Sequence, residues 1–188
     1  MEKYYKKNFT DIVSLIDKNE IFYQKKIFHI VNLMYKTLKS NNTIFWAGNG
    51  GSAAECQHIS AELVGRFKKK RQALRSISLT TDTSVLTAIS NDYDFESIFS
   101  RQLEGLGKKN DLLVVLSTSG RSKNILLLLN KAKSLKIKTI AFLGKSGGPS
   151  VSLADFSIII PSNDTARIQE MHLFLLHIVC DFLEKKFN

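Results

Sequence analysis

The chain has 188 residues, 44% of them apolar and 23% charged. That size and balance fit one globular domain with its own hydrophobic core and exclude a disordered or fibrous polypeptide. The formal net charge of +10 comes from basic residues spread along the whole sequence, and a spread charge alone does not argue for a nucleic-acid partner.

No apolar run reaches the roughly 18 residues needed to span a bilayer. The opening stretch, MEKYYKKNFTDIVSLIDKNE, carries charges throughout. Neither a membrane span nor a secretory signal is expected. The two cysteines, Cys56 and Cys180, lie inside helical patterns and show no metal or redox spacing. They read as buried free thiols in a reducing cytoplasm.

Two helices open the chain, roughly Tyr4–Ile16 and Ile21–Leu38. The second repeats Ile27, Ile30, Val31, Met34 and Leu38 at spacings of three and four, an amphipathic stripe. Strands follow near 43–47, 76–80, 111–116, 138–143 and 156–160. Helices near 53–67, 83–90, 95–106 and 122–135 fill the gaps, and a last one runs from about Asp164 to Lys186. This alternation predicts a doubly wound α/β fold with a parallel sheet. The run DLLVVL at 111–116 is continuously apolar after its first residue, as a strand covered on both faces should be. Pro149 and Pro161 fall outside the helices, and no linker, repeat or low-complexity tract appears. Residues 1–188 are therefore expected to form one domain. The two leading helices, residues 1–40, are expected to pack against other copies of the chain. The basic cluster Lys68, Lys69, Lys70 and Arg71 reads as a solvated loop after a helix.

In such a fold ligands bind beyond the C-terminal ends of the strands. Three polar loops fall there. Gly48-Asn49-Gly50-Gly51-Ser52 brings backbone N–H groups to a helix start, which suits an anion. Ser117-Thr118-Ser119-Gly120-Arg121-Ser122 offers four hydroxyls and a glycine at another helix start, which suits a phosphate. Thr80-Thr81-Asp82-Thr83-Ser84 reads equally well as an ordinary helix cap. The first loop lacks the third glycine of a dinucleotide fingerprint, since position 53 is Ala, and the second lacks the Gly-Lys pair of a nucleotide P-loop. Phosphate binding without a nucleotide signature points to a phosphorylated metabolite.

His58 and Glu62 stand one helical turn apart on one face, just past the first loop. The last helix adds Arg167, Gln169, Glu170, His172 and His177. His172 and His177 point about 140° apart, and Glu170 nearly eclipses His177, while Gln169 lies about 80° around and roughly 12 Å along the axis from it. Geometry alone favours Glu170 over Gln169 as a companion of His177.

Three segments, AGNGGSAAECQHISAELVGRF, ISNDYDFESIFSRQLEGLGKKNDLLVVLSTSGRSKNI and DTARIQEMHLFLLHI, together resemble the sedoheptulose 7-phosphate isomerases. These phosphoheptose isomerases are part of the sugar isomerase (SIS) domain group. STSGRS alone marks the wider group; its combination with GNGGS, HxxxE, ND and RIQExHxxxxH is more specific. The resemblance implies a flavodoxin-like SIS domain, with a five-stranded parallel sheet and helices on both faces. It implies a cytoplasmic homotetramer that converts sedoheptulose 7-phosphate to D-glycero-D-manno-heptose 7-phosphate for bacterial lipopolysaccharide core or capsule. It also implies phosphosugar contacts from Asn49, Gly50, Gly51, Glu62, Asn91, Asp92, Ser117, Thr118, Ser119, Ser122 and Gln169. A zinc ion would be held by His58, Glu62, Gln169 and His177, and Glu62 and His177 would be the catalytic pair. Neither a membrane nor nucleic acid is implied as a partner. The segment AAEC after Ser52 departs from the more polar residues of some members, which bears on substrate fit.

The chemistry asks for such residues. Aldose–ketose exchange moves a proton between C1 and C2 through an enediol, and needs a base at carbon and an acid at oxygen. An alternative reading is a non-enzymatic SIS-domain protein that binds the replication initiator or senses phosphosugars. Another is an isomerase of a different phosphosugar.

Overall fold

A computed structural model describes residues 1–187. Helix α1 (Glu2–Asp17) and helix α2 (Glu20–Lys39) precede a sheet of five strands: β1 (Ile44–Gly48), β2 (Ser76–Ser78), β3 (Leu112–Ser117), β4 (Lys138–Gly144) and β5 (Phe156–Ile160). Between and after them lie α3 (Gly51–Val64), α4 (Thr83–Asp92), α5 (Ser100–Leu106), α6 (Lys123–Ser134), the short α7 (Ser150–Leu153) and the long α8 (Thr165–Phe187). All neighbouring strands run parallel, in the order β2-β1-β3-β4-β5. That is the flavodoxin-like order, and its direction of winding reverses between β1 and β3. The doubly wound, parallel architecture expected from the alternation of elements is the one observed.

The two-residue period of the strands sorts the core into two layers. Ile44, Trp46, Leu112, Val114, Leu116, Ile140 and Phe142 face α2, α3 and α8, where Ile30, Met34, Ile59 and Leu176 meet them. Phe45, Ala47, Leu113, Val115, Ala141 and Leu143 face the other way, onto Leu103 of α5 and Ile125, Leu128 and Leu129 of α6. With helices on both sides, β1 and β3 are buried along their whole length. Cys56 and Cys180 are free and buried, as their settings predicted. Helix α1 buries no residue fully, though Ile12 and Leu15 lean on the core.

Two local expectations need correction. The stretch 95–106 is not one helix: Asp94 caps a short 3-10 turn at 95–97, with Oδ1 accepting from Ser97 N, before α5 starts at Ser100. Helix α3 stops at Val64 rather than at 67, and the basic segment behind it is not simply solvated. Lys68, Lys69 and Lys70 have exposed side chains, but the Arg71 side chain is only 2% exposed. It lies against Glu184 of α8, whose carboxylate accepts N–H bonds from Phe67, Lys68 and Lys69. Burial opposes the Glu184 charge, yet these N–H groups and the Arg71 guanidinium together hold its carboxyl below the usual range. A hydropathy pattern marks such a segment as polar; only the tertiary partner shows that it is anchored.

Candidate active site

The first two polar loops follow β1 and β3, the strands that flank the reversal in winding, so they lie side by side at one end of the sheet. They are fastened to each other. The amides of Asn49 and Asn124 exchange two hydrogen bonds, Nδ2 to Oδ1, at 2.9 and 2.8 Å. Behind the second loop, Gly120 takes a left-handed conformation (φ +61°), and a Cβ there would come within 1.9 Å of the Gly147 carbonyl oxygen. Its own carbonyl accepts from Ser150 Oγ at 2.9 Å. Ser117 Oγ accepts from Gly120 N and Ser119 Oγ from Arg121 N, so the loop is braced from inside. Ser122 sits at the N-cap of α6 without a side-chain capping bond. The third loop is a helix cap: Asp82 Oδ1 accepts from Val85 N at 2.9 Å.

Past the first loop, α3 carries His58 and Glu62, and α8 crosses beside it with His177. His58 Nε2 lies 2.9 Å from His177 Nε2 and 3.4 Å from Glu62 Oε1. Ligand atoms of the three side chains all fall within 4.8 Å of one another. Burial first, and then the neighbouring His58, hold the His177 imidazole below its ordinary pKa, against the pull of the Glu62 carboxylate. A neutral imidazole is a proton acceptor and a metal donor. Two imidazoles and a carboxylate are a donor set that fits a catalytic zinc.

The sequence from 4 to 144 matches the family model for the SIS domain. The chain is 47% identical over 182 residues to a phosphoheptose isomerase of Helicobacter pylori, covering 97% of this chain and 95% of that protein. It is 47% identical over 173 residues to phosphoheptose isomerase 1 of Campylobacter jejuni, covering 92% of each. Among solved structures, a phosphoheptose isomerase from Neisseria gonorrhoeae superposes with a TM-score of 0.92 at 35% identity, over 98% of both chains. One from Francisella tularensis gives 0.94 at 31%, over 97% of both.

The chain belongs to the phosphoheptose isomerases of the SIS-domain family. As a phosphoheptose isomerase it is an enzyme, so the reading as a non-catalytic binding protein is set aside.

Within this phosphoheptose isomerase the anticipated residues divide into groups. Asn49, Gly50 and Gly51 lie in the first loop and Ser117, Thr118, Ser119 and Ser122 in the second, next to each other across the Asn49–Asn124 pair. Asn91 and Asp92 end α4 and are exposed, with Asn91 Nδ2 donating to Asp92 Oδ1 at 2.9 Å. Gln169, in the second turn of α8, lays its amide on the start of α3: a Cβ added to Gly51 would stand 2.5 Å from Gln169 Nε2. Glu170, favoured by helical geometry, is exposed and paired with Arg167 outside the cluster. His172 is fully buried, and its Nε2 donates to the Leu143 carbonyl at 3.0 Å. Sequence reasoning missed Asn124 and Phe67. The Phe67 ring stacks on His177 at 5.6 Å between centroids and 20° between planes. Asn124 had a signal, a buried-face polar residue in the first turn of an apolar helix; Phe67 had none.

Proposed function

We propose that this enzyme converts sedoheptulose 7-phosphate to D-glycero-D-manno-heptose 7-phosphate, as one SIS domain spanning residues 1–188 and acting as a cytoplasmic homotetramer. The observation that carries the reading is a carboxylate and an imidazole from two distant helices, Glu62 and His177, whose ligand atoms lie within 4.8 Å of each other on a fold that also carries two phosphate-suited loops. Backbone N–H groups of Gly50 and Gly51 and the hydroxyls of Ser117, Thr118, Ser119 and Ser122 grip the phosphosugar, with Asn49, Asn91, Asp92 and Gln169 on its hydroxyls. Anchoring the phosphate turns the far end of the sugar into an intramolecular reactant.

Glu62 takes the proton from C1 of the ketose and returns it at C2 of the enediol. The His177 imidazole receives the proton of O1 and then delivers it to O2, so the net change is one hydrogen moved from C1 to C2 and one from O1 to O2. The lowered pKa of His177 keeps it neutral between turnovers, ready to accept. A zinc ion bound by His58, Glu62, Gln169 and His177 would supply Lewis-acid polarisation of the sugar oxygens. The heptose product would feed lipopolysaccharide core or capsule, a destination supported by family membership alone. The test is turnover of purified protein on sedoheptulose 7-phosphate beside hexose and pentose phosphates. Preference for the heptose supports the reading; faster turnover of a shorter sugar overturns it.

A further inference from the structure

We infer that Arg71 and Glu184 form a positioning pair that sets the separation of Glu62 from His177, an inference that rests on the function proposed for those two residues. Helix α3 ends just past Glu62, where the last carbonyls have no helical partner. Arg71 fills that gap with one fork: Nη2 donates to the Glu62 carbonyl at 2.6 Å and Nη1 to the Leu63 carbonyl at 2.8 Å. The grip falls on the backbone of the reactive carboxylate itself, and a cation there complements the negative end of the helix.

The other half of the device is on α8. Glu184 lies seven residues after His177, so the two share a face of that helix. Its carboxylate gathers the backbone N–H groups of 67–69 at 2.9 to 3.1 Å, and that fixes the ring of Phe67 against His177. The Arg71 and Glu184 side chains are 2% and 4% exposed, with Nε 3.7 Å from Oε1. One buried ion pair therefore ties the end of α3 to α8, holding the carboxylate by its main chain and the imidazole by the ring that covers it.

A mere need for a buried cation opposite Glu184 would be met by lysine. Holding two carbonyls at once would not, because an ammonium lacks the planar fork. The decisive variant is Arg71→Lys, compared with wild type for melting temperature, kcat, KM and zinc binding by calorimetry on chelator-treated protein. The expected result is a folded protein with KM within about twofold, while kcat falls and the zinc dissociation constant rises by about tenfold or more. A folded variant whose kcat and zinc affinity stay within about twofold of wild type overturns the pair as a positioning device. Phe67→Leu, which leaves both charges in place, is the second arm. It is expected to lower kcat by about fivefold or more at unchanged KM, and wild-type kcat in that variant overturns the inference even if Arg71→Lys does not fold. The wild-type values judge the proposed function; the ratio of variant to wild type judges the pair.

Discussion

Asn49 and Asn124 face each other as a closed amide pair, each Nδ2 donating to the other's Oδ1. One residue comes from the loop after β1 and the other from the first turn of α6. Truncating Asn124 to Ala leaves the Asn49 amide without its partner and lets the two phosphate loops drift apart. Losing a buried polar partner costs about 1–3 kcal/mol. We expect Asn124→Ala to raise KM for the phosphosugar by about tenfold with a smaller change in kcat, measured by steady-state kinetics.

Glu62→Gln keeps the shape of the side chain and removes its basicity. Loss of a positioned base costs about a hundredfold to ten-thousandfold in rate. Turnover should fall by that factor while calorimetric binding of sedoheptulose 7-phosphate stays within about threefold of wild type. Near-wild-type turnover would remove Glu62 from the mechanism.

Chelation tests the donor set of His58, Glu62 and His177. Dialysis against a chelator should abolish most activity, and added zinc should restore it. Imidazole must shed its proton to bind metal, so zinc affinity should weaken as the solution is acidified. His58→Ala should lose the zinc isotherm.

Gly51→Ala places a methyl group where the Gln169 amide now lies, 2.5 Å from its Nε2. The obstacle is the tip of a flexible side chain, so the fold should survive, with a melting temperature within about 4 °C of wild type. Gln169 must swing away, and kcat/KM should fall by about tenfold. Unchanged kinetics would show that Gln169 has no part in the site.

His172 gives the fold a titration. Its Nε2 proton is committed to the Leu143 carbonyl, Nδ1 has no partner, and burial pushes its pKa down to about 4. Unfolded, the imidazole binds its proton near 6.5. Between those values the unfolded chain holds more protons, so stability present above pH 6.5 is lost as pH falls toward 4, about 3 kcal/mol in all. Glu55 has the opposite sign: burial lifts its carboxyl to about 8, so its contribution is lost as pH rises from 4.5 through 8. Urea unfolding of wild type and His172→Gln at pH 7, 6 and 5 separates the two. The wild type should lose its advantage over the variant as the solution is acidified.

Much of this site could be read from residue order because its parts are local. A glycine-rich turn between strand and helix, a hydroxyl-rich turn at the next helix, and His58 one turn before Glu62 are short-range patterns with short-range reasons. The parallel sheet followed from alternation, and its cover on both faces from the unbroken apolar run at 112–116. What escaped depends on long-range contacts. That Gln169 lies on Gly51 while Glu170 turns to Arg167 is decided by the crossing of α8 over α3. The burial of Arg71 depends on a carboxylate more than a hundred residues downstream. Helix α7 is a single turn of four residues, too short for periodicity to show.

The reactive cluster draws two members from α3 and one from the last helix, beyond the stretch that matches the SIS-domain model. A ribosome that has released only the first 144 residues has emitted four of five strands, both polar loops, His58 and Glu62, yet not His177. Activity thus reports that translation and folding have run to the end.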